Sequence, residues 1–317
     1  MSDDRHLITL IVPAYNEEDV LEPFVCAFDG IKSALPGHDL QILFVNDGST
    51  DRTLSILETL SDSRRDVGYI SLSRNFGKEA AMTAGLDHAV GDAIAIFDAD
   101  LQDPLTLLTE FVRHWENGYD VVYAQRTERE GESRMKKSTA WLFYRLMGKI
   151  SRTPVPPNTG DCRLMSRRAV DSLNRLREQN RFMKGLFAWV GYPSKAVPYR
   201  RAPRVAGTTK FNYWKLWNFA LDGVTSFTNA PLKLATYSGF SMAFVAFLLG
   251  AWTIFKTLVF GEAVRGYPTL IVTVLFLGGV QLFFIGVLGE YIGRIFSETK
   301  NRPIYLVDRQ VMPTDET

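Results

Sequence analysis

Short apolar runs alternate with longer amphipathic stretches through about residue 125 of the chain. The runs are rich in Val, Ile and Leu, and the stretches between them carry apolar residues at helical spacing. This alternation predicts an α/β fold with a mostly parallel sheet that is covered by helices on both faces. The predicted strands are 7–12, 40–45, 67–72, 93–97 and 120–124, and the predicted helices lie around 18–34, 51–63, 76–90 and 104–117.

The pattern changes beyond this region. Residues 126–158 are basic and helical and end in the breaker-rich stretch "SRTPVPPNTG", and residues 159–205 return to mixed structure. The segment 211–227, "FNYWKLWNFALDGVTSF", spaces Trp and Phe around Lys215, which predicts an amphipathic helix in the membrane interface. A surface helix packed on the preceding domain is the alternative.

Two long runs near the C-terminus are almost free of charge, between Ala235 and Phe255 and between Tyr267 and Gly289. Each is about 21–23 residues, or ~33 Å as a helix, which is enough to cross a ~30 Å hydrocarbon core. Buried helices of a soluble protein are the alternative, but those are usually shorter and interrupted by polar residues. The short connection between the runs predicts a transmembrane hairpin.

Basic residues flank this hairpin and place both of its ends, with the N-terminal part, in the cytoplasm. They are Lys210, Lys215 and Lys233 before it and Arg294, Lys300 and Arg302 after it. The predicted units are a cytoplasmic domain (1–210), an interfacial helix (211–231), two transmembrane helices (232–258 and 267–291) and a cytoplasmic tail (292–317).

Charge is nearly balanced over the 317 residues, with 36 basic and 35 acidic side chains, but acids crowd in one place. The stretch "IAIFDADLQDP" ends an apolar run with Asp98, Asp100 and Asp103. Crowded carboxylates repel one another unless a cation lies among them. Only two cysteines, Cys26 and Cys162, are present, and the four histidines show no ligand spacing, so neither a disulfide framework nor a zinc site is expected.

Polar clusters follow four predicted strands in turn: "PAYNEE", "NDGSTD", "SRNFGKE" and "DADLQD". Ligands of such sheets bind at the carboxyl ends of the strands, so these clusters predict one cleft. Asp47 could accept hydrogen bonds from a nucleobase or a ribose, whereas Ser49–Asp51 resemble a helix cap. Neither a dinucleotide fingerprint nor a P-loop follows any strand.

The acidic stretch itself favours a metal. Asp98 and Asp100 would point to the same side of an extended segment, and Gln102 continues that face. Such hard oxygen donors suit a Mg²⁺ or Mn²⁺ that also holds substrate phosphates. Asp103, which precedes Pro104, is predicted to cap the following helix.

Several of these motifs together resemble a known family. "VPAYNEE", "NDGSTD", "RNFGKEAA", "DADLQDP", "GDCRLMS" and "RVAGTTKF" occur in the order found in inverting family 2 glycosyltransferases with a GT-A fold. More narrowly, the chain is similar to polyprenyl-phosphate glycosyltransferases, the group that includes dolichol-phosphate mannose synthase. One branch of that group shares "FMKG…WVG", the "KFNYWKLWN"-like segment at 210–218, the paired apolar runs and "GVLGEYIGRI…KNRP". Bacterial bactoprenol glucosyltransferases show the strongest resemblance. Cys162 departs from the pattern, because relatives usually carry Phe there, but no polar group is lost.

The resemblance implies roles at the matching positions. Asp98, Asp100 and Gln102 would hold the Mg²⁺ or Mn²⁺, and Asp161 and Asp100 would be catalytic. Asp161 is the usual candidate base, but a phosphate acceptor has a second pKa of about 6 and is already largely deprotonated. A carboxylate of pKa ~3.9 would accept its last proton poorly, so our hypothesis is that Asp161 orients the acceptor or a sugar hydroxyl. The nucleotide-sugar set is Pro13, Tyr15, Glu17, Asp47, Lys78 and Asp98.

The acceptor phosphate needs cations near the membrane, and Arg side chains bind phosphate oxygens in pairs. Lys136 and Lys137 could instead face anionic lipid head groups. The predicted acceptor-phosphate residues are Arg126, Arg134, Ser138, Arg201, Arg204 and Lys210.

These observations predict a single sugar transfer to polyprenyl phosphate at the bacterial inner membrane. Glucose from UDP-glucose follows from the resemblance alone, with GlcNAc, galactose or mannose as alternatives. A processive polysaccharide synthase would carry a Q-x-x-R-W signature, which is absent, and a lipid-carrier flippase would not need a D-x-D motif. The expected partners are a nucleotide sugar, the lipid phosphate and the membrane, with no nucleic acid. Glycines at 278, 279, 286 and 289 would allow a homo-oligomer through the membrane helices.

Overall fold

A computed structural model describes residues 5–127, 156, 158–179, 181–200, 230–260 and 266–314 of the chain. Arg134, Ser138, Arg201, Arg204 and Lys210 lie outside these residues. So do Lys136, Lys137 and nearly all of the predicted interfacial helix. The predictions made for these positions therefore stay predictions.

Eight strands form one mixed sheet in the order β7-β5-β6-β4-β1-β2-β3-β8. Among the described strands four pairings are parallel and three are antiparallel, so the predicted parallel character holds, and the antiparallel pairs all involve β6 or β8. The strands are β1 (His6–Ala14), β2 (His38–Asn46), β3 (Val67–Leu72), β4 (Ala93–Ile96), β5 (Val121–Arg126), β6 (Thr159–Ser166), β7 (Ser194–Tyr199) and β8 (Val307–Val311).

Helices cover both faces of this sheet, as the alternating pattern predicted. They are α1 (Leu21–Ala34), α2 (Thr53–Ser63), α3 (Lys78–His88), α4 (Leu107–Glu116), α5 (Arg167–Asn174) and α6 (Met183–Trp189), followed by the long α7 (Ala230–Phe260) and α8 (Tyr267–Thr299). The five predicted strands and four predicted helices of the first 125 residues are confirmed, with ends that differ by a few residues.

Each face of the sheet has its own apolar core. On one face, Phe24, Phe44 and Phe111 join α1 and α4 to the strands. On the other, Ile11 and Met82 belong to the core that includes residues of α3, α5 and α6. Because the strands are covered on both sides, they read as continuous apolar runs rather than alternating ones. Burial of each large apolar side chain contributes roughly 1.5–3 kcal/mol to the stability of the fold. This packing holds the strands in place, and with them the polar clusters at their ends.

The β6 strand determines the geometry of the cleft. It runs antiparallel between β4 and β5, with Ile96 opposite Arg163 and Ala93 opposite Ser166. The start of β6 therefore lies at the carboxyl end of β4. Continuing this register by two residues brings Asp161 beside Asp98.

The two C-terminal helices leave their apolar side chains exposed, as in Phe240 (76% exposed) and Leu282 (71%). The segments Ala235–Trp252 and Val272–Thr299 have mean hydropathies of 1.3 and 2.2, and none of their described residues is buried within the structure. They do not form a buried core, and both are long and apolar enough to cross a membrane.

The predicted tail is more ordered than its sequence indicated. Helix α8 continues to Thr299, and β8 then pairs antiparallel with β3 at the edge of the sheet. The Gln179 backbone N–H donates to Glu298 Oε1 at 2.8 Å, and Tyr305 Oη donates to Asp87 Oδ2 at 2.8 Å. The end of the membrane hairpin is thus tied directly to the α/β domain.

Candidate active site

Side chains from four elements meet at the carboxyl edge of the sheet. Asp47 follows β2, Lys78 begins α3, Asp98 follows β4 and Asp161 lies near the start of β6. Asp98 and Asp161, from the ends of the neighbouring strands β4 and β6, flank Lys78, and Asp47 binds the loop that leads to this lysine.

The loop after β3 is held by Asp47, which is 4% exposed. Its Oδ1 accepts from the Phe76 N–H at 2.7 Å and its Oδ2 from the Gly77 N–H at 2.9 Å. Burial raises the pKa of Asp47, although these amides and Arg74 act in the opposite direction. A carboxylate oxygen has two lone pairs, so Asp47 could hold this loop and still accept a further hydrogen bond.

Gly48 allows the chain to turn at this point. Its φ is +64°, and an added Cβ would lie 2.4 Å from the carbonyl carbon of Arg74. Only glycine fits without a backbone shift, so the close contact between the two loops requires the Gly of the "NDG" motif.

The loops after β1 and β2 are also bonded to each other. The Asn16 N–H donates to Ser49 Oγ at 3.0 Å, and the Glu17 N–H donates to Thr53 Oγ1 at 2.9 Å. Pro13 lies at the end of β1, and Tyr15 is 40% exposed beside it. These predicted nucleotide residues line one rim of the cleft, and their contact with a nucleotide stays a prediction.

A lysine ammonium lies between the acids. Lys78 Nζ is 2.5 Å from Asp98 Oδ1 and 2.8 Å from Asp161 Oδ2. Burial alone would lower the pKa of Lys78, but the two carboxylates outweigh it and raise that pKa. Among the described residues, the Lys78 ammonium therefore offsets the repulsion between these carboxylates that the sequence led us to expect.

Asp161 has a strongly lowered pKa. Burial would raise its pKa, but Lys78, Lys184 and Arg163 lower the pKa to about 2. Its Oδ1 is buried and has no hydrogen-bond partner among the described residues. Asp161 is therefore ionised and offers one acceptor atom to a bound molecule.

Sequence reasoning missed three residues that lie near Asp161. Arg163 is buried, donates to the carbonyl oxygens of Asp161 (3.1 Å) and Gly160 (2.9 Å), and lies 3.5 Å from the centre of the Phe187 ring. Burial lowers the pKa of Arg163 to about 10. Lys184 also faces Asp161, and burial lowers its pKa. The motif "GDCRL" contains Arg163 and "FMKG" contains Lys184, but neither motif indicated that these side chains face Asp161.

Glu79 is the third. Its Oε2 accepts from the Met183 N–H at 3.1 Å, which links α3 to the start of α6. Burial and the nearby Asp161 raise the pKa of Glu79 to about 7. The carboxyl groups of Glu79 and Asp161 therefore have widely separated pKa values, a pattern typical of functional sites.

The acidic stretch after β4 is not extended, and that part of the sequence reasoning was wrong. The strand ends at Ile96, residues 99–100 form a turn, and Leu101 has a φ of +52°. Asp100 Oδ1 accepts from the Gln102 N–H at 3.2 Å. The side chain of Gln102 is buried, and its Oε1 has no partner in the described part of the chain.

This donor set fits a hard divalent cation in its chemistry. Two carboxylates and an unpartnered amide oxygen match the oxygen ligands of Mg²⁺ and Mn²⁺, which also keep positions for phosphates or water. The described ranges contain no group of three or more His, Cys, Asp or Glu residues that could hold a metal ion.

The prediction that Asp103 caps the next helix was also wrong. Helix α4 begins at Leu107 and has no side-chain cap, whereas Asp103 is 1% exposed and accepts a hydrogen bond from Tyr199 Oη. Arg126 Nε donates to the same Tyr199 oxygen at 3.0 Å.

Of the predicted acceptor residues, Arg126 alone lies in the described part of the chain. It borders the cleft near Asp98, which contributes to raising the pKa of Arg126.

Comparison with known proteins agrees with this arrangement. Residues 9–173, just over half of the chain, match the model of glycosyl transferase family 2, and residues 230–295 match the GtrB C-terminal hairpin. With the two apolar helices, the hairpin match indicates membrane association.

Several relatives match over nearly the whole length of this chain. A prophage bactoprenol glucosyl transferase homolog of Escherichia coli K12 is 50% identical over 95% of this chain and 98% of its own length. The bactoprenol glucosyl transferase of Shigella phage SfV is 50% identical over 96% and 98%. An uncharacterized glycosyltransferase of Synechocystis is 49% identical over 95% and 94%. The chain therefore belongs to glycosyltransferase family 2, with the family domain followed by a GtrB-type C-terminal hairpin.

Proposed function

We propose that the protein transfers one glucose from UDP-glucose to a polyprenyl phosphate at the cytoplasmic face of the bacterial inner membrane. The observation that carries this proposal is the 50% identity to bactoprenol glucosyl transferases over almost the entire chain, hairpin included. The arrangement of the described site residues is consistent with each part of the reaction.

The bond changes are an in-line displacement at the anomeric carbon of glucose. A phosphate oxygen of the lipid forms the new C1–O bond while the bond from C1 to UDP breaks, and the electron pair leaves with UDP. The configuration at C1 inverts.

Asp161 is a poor candidate for a general base in this step. Its pKa of about 2 lies far below the second pKa of a phosphate monoester, ~6, so it would hold a proton from the acceptor only rarely. Its buried Oδ1 can instead accept a hydrogen bond from a sugar hydroxyl and so hold the donor in line. We infer an orienting role for Asp161.

Asp98, Asp100 and Gln102 would hold a Mg²⁺ or Mn²⁺ at this edge of the sheet. When bound, such an ion stabilises the negative charge that develops on a departing diphosphate. Lys78 lies between Asp98 and Asp161, so its ammonium is also placed to offset negative charge near the leaving group.

The membrane arrangement follows from the hairpin. Helices α7 and α8 would span the bilayer with both ends in the cytoplasm, where the flanking basic residues are favoured. Because Glu298 and Tyr305 bond to the α/β domain, the catalytic cleft would stay close to the bilayer that holds the acceptor. A homo-oligomer through the glycines of α8 remains a prediction.

The test is to incubate the purified full-length protein with undecaprenyl phosphate and radiolabelled nucleotide sugars. We expect one glucose on an organic-extractable lipid, from UDP-glucose, with Mn²⁺ or Mg²⁺ present. GlcNAc, galactose or mannose on the lipid would keep the reaction class and change the sugar. Long polymer would indicate a processive synthase, and the absence of any sugar-lipid product would contradict the proposal.

A further inference from the structure

Arg126 occupies a point where the ends of three strands and one loop converge. It is the last residue of β5 and lies opposite Tyr199, the last residue of the parallel strand β7. Residues opposite each other in parallel strands extend their side chains from the same face of the sheet. Asp103 approaches from the loop after β4, and Gly160 lies near the start of β6.

These residues form a short chain of hydrogen bonds. Arg126 Nε donates to Tyr199 Oη at 3.0 Å, and Tyr199 Oη donates to Asp103 Oδ1. Tyr199 is 7% exposed and Asp103 is 1% exposed, so both bonds are shielded from water. A buried chain of this kind holds its members in one geometry because each unpaired group would be costly.

The chain also fixes the protonation of its members. Burial, and then Asp103, raise the pKa of Tyr199, so the phenol keeps its proton and remains the donor to Asp103. Burial would lower the pKa of Arg126, but Tyr199, Asp103 and Asp98 outweigh it. Arg126 is therefore a permanent cation beside the cleft.

Gly160 leaves room for this guanidinium. A Cβ at that position would lie 3.2 Å from Arg126 Nη2 and 3.8 Å from Asp103 Oδ2. With Nε bonded to Tyr199, the Nη1–Nη2 edge is the one through which the guanidinium can bind two phosphate oxygens.

We propose that Tyr199 and Asp103 are positioning residues for the acceptor: they set the plane of the Arg126 guanidinium so that its outer edge receives the lipid phosphate. This inference rests on the proposed function and adds to it Tyr199, which lies in none of the quoted motifs, and Asp103, which was predicted to be a helix cap. Neither residue needs to touch the substrate.

The experiment is a double-mutant cycle in the glucosyl transfer assay, with Tyr199→Phe, Arg126→Ala and the double variant. Tyr199→Phe keeps the ring and removes only the hydroxyl. We expect it to raise KM for undecaprenyl phosphate about tenfold, the effect of losing one charge-assisted hydrogen bond, and to leave KM for UDP-glucose within about twofold. In the Arg126→Ala background the same change should have no further effect, because Tyr199 acts through Arg126.

Tyr192→Phe is the matched control, since the Tyr192 hydroxyl bonds to Ser172 Oγ at 2.8 Å away from this cluster. It should leave both KM values unchanged. Asp103→Asn should reproduce the selective rise in the lipid KM.

Two results would overturn the inference. One is a Tyr199→Phe variant whose KM for undecaprenyl phosphate is normal, or rises by the same factor with and without Arg126. The other is an Arg126→Ala variant whose lipid KM is normal. A wild-type protein that makes no glucosyl lipid would instead contradict the proposed function itself, so the two failures are distinguishable.

Discussion

The Glu79→Gln substitution should change how the stability of the protein depends on pH. In the folded protein, burial and the nearby Asp161 raise the pKa of Glu79 from 4.5 to about 7. The folded protein therefore keeps a proton that the unfolded chain releases. The stability contributed by this proton is fully present below pH 4.5 and is lost as the pH rises through about 7.

The size of the effect follows from the shift. A pKa rise from 4.5 to about 7 corresponds to about 3 kcal/mol at 1.36 kcal/mol per unit, of which about 2.5 kcal/mol is lost between pH 5 and pH 8. The charged groups that interact with Glu79 are Asp161 and the cations Lys78, Lys184, Arg163 and Arg181. Asp161 stays ionised over this range because its pKa is about 2. Glutamine is neutral at every pH and does not lose this contribution.

The assay is the melting temperature of the full chain in detergent with a chelator present, from pH 5 to pH 8. The difference in Tm between Glu79→Gln and the wild type isolates this group, because other titrations largely cancel. At about 2–4 °C per kcal/mol, the variant should gain about 5–10 °C on the wild type over that range. Glu22→Gln, at an exposed carboxylate of α1, is the control for loss of charge. A Tm difference that is constant with pH would refute the buried, protonated Glu79.

Three further predictions address the same cleft. Lys78→Met leaves Asp161 without its nearest cation, so the pKa of Asp161 should rise above about 2. The stability that Asp161 contributes above pH ~4 should then shrink. Acid unfolding would show this as a smaller difference in the free energy of unfolding between pH 5 and pH 3 than in the wild type. Asp161→Asn should lose glucosyl transfer at least tenfold while keeping the pH profile of the wild type, and a steep recovery between pH 6 and pH 8.5 would show instead that proton removal is its role. Gly48→Ala should cost about 1–3 kcal/mol, because its Cβ would lie 2.4 Å from Arg74, whereas Gly37→Ala, with nothing within 4 Å, should leave Tm nearly unchanged.

Local pattern determined much of the fold. Continuous apolar runs such as that of β1 and helical spacing such as that of α4 arise from neighbours in sequence, so both were predictable. The rule that ligands bind at the carboxyl ends of parallel strands then placed Asp47 and Asp98 in one cleft.

What escaped sequence reasoning depends on contacts between distant residues. The antiparallel register of β6 brings Asp161 to Asp98. Lys78 meets both because it begins α3, which packs on the sheet face opposite to α1 and α4. Asp103 resembled a helix cap because its partner, Tyr199, lies on a strand far along the chain. β8 looked like a tail because its five residues carry no apolar periodicity, and in the structure all five are exposed.

The most direct test of the account is the initial rate of glucose transfer from UDP-glucose to undecaprenyl phosphate by the purified protein and by its Asp98→Asn/Asp100→Asn variant. Both are measured after chelation and again after addition of Mn²⁺ or Mg²⁺. We predict a single glucosyl lipid from the wild type, a rate that falls at least ~100-fold on chelation and recovers with the metal, and no recovery in the double variant. Transfer at the full rate by the chelated wild type, or by the double variant, would contradict the central claim that these aspartates form the catalytic metal site.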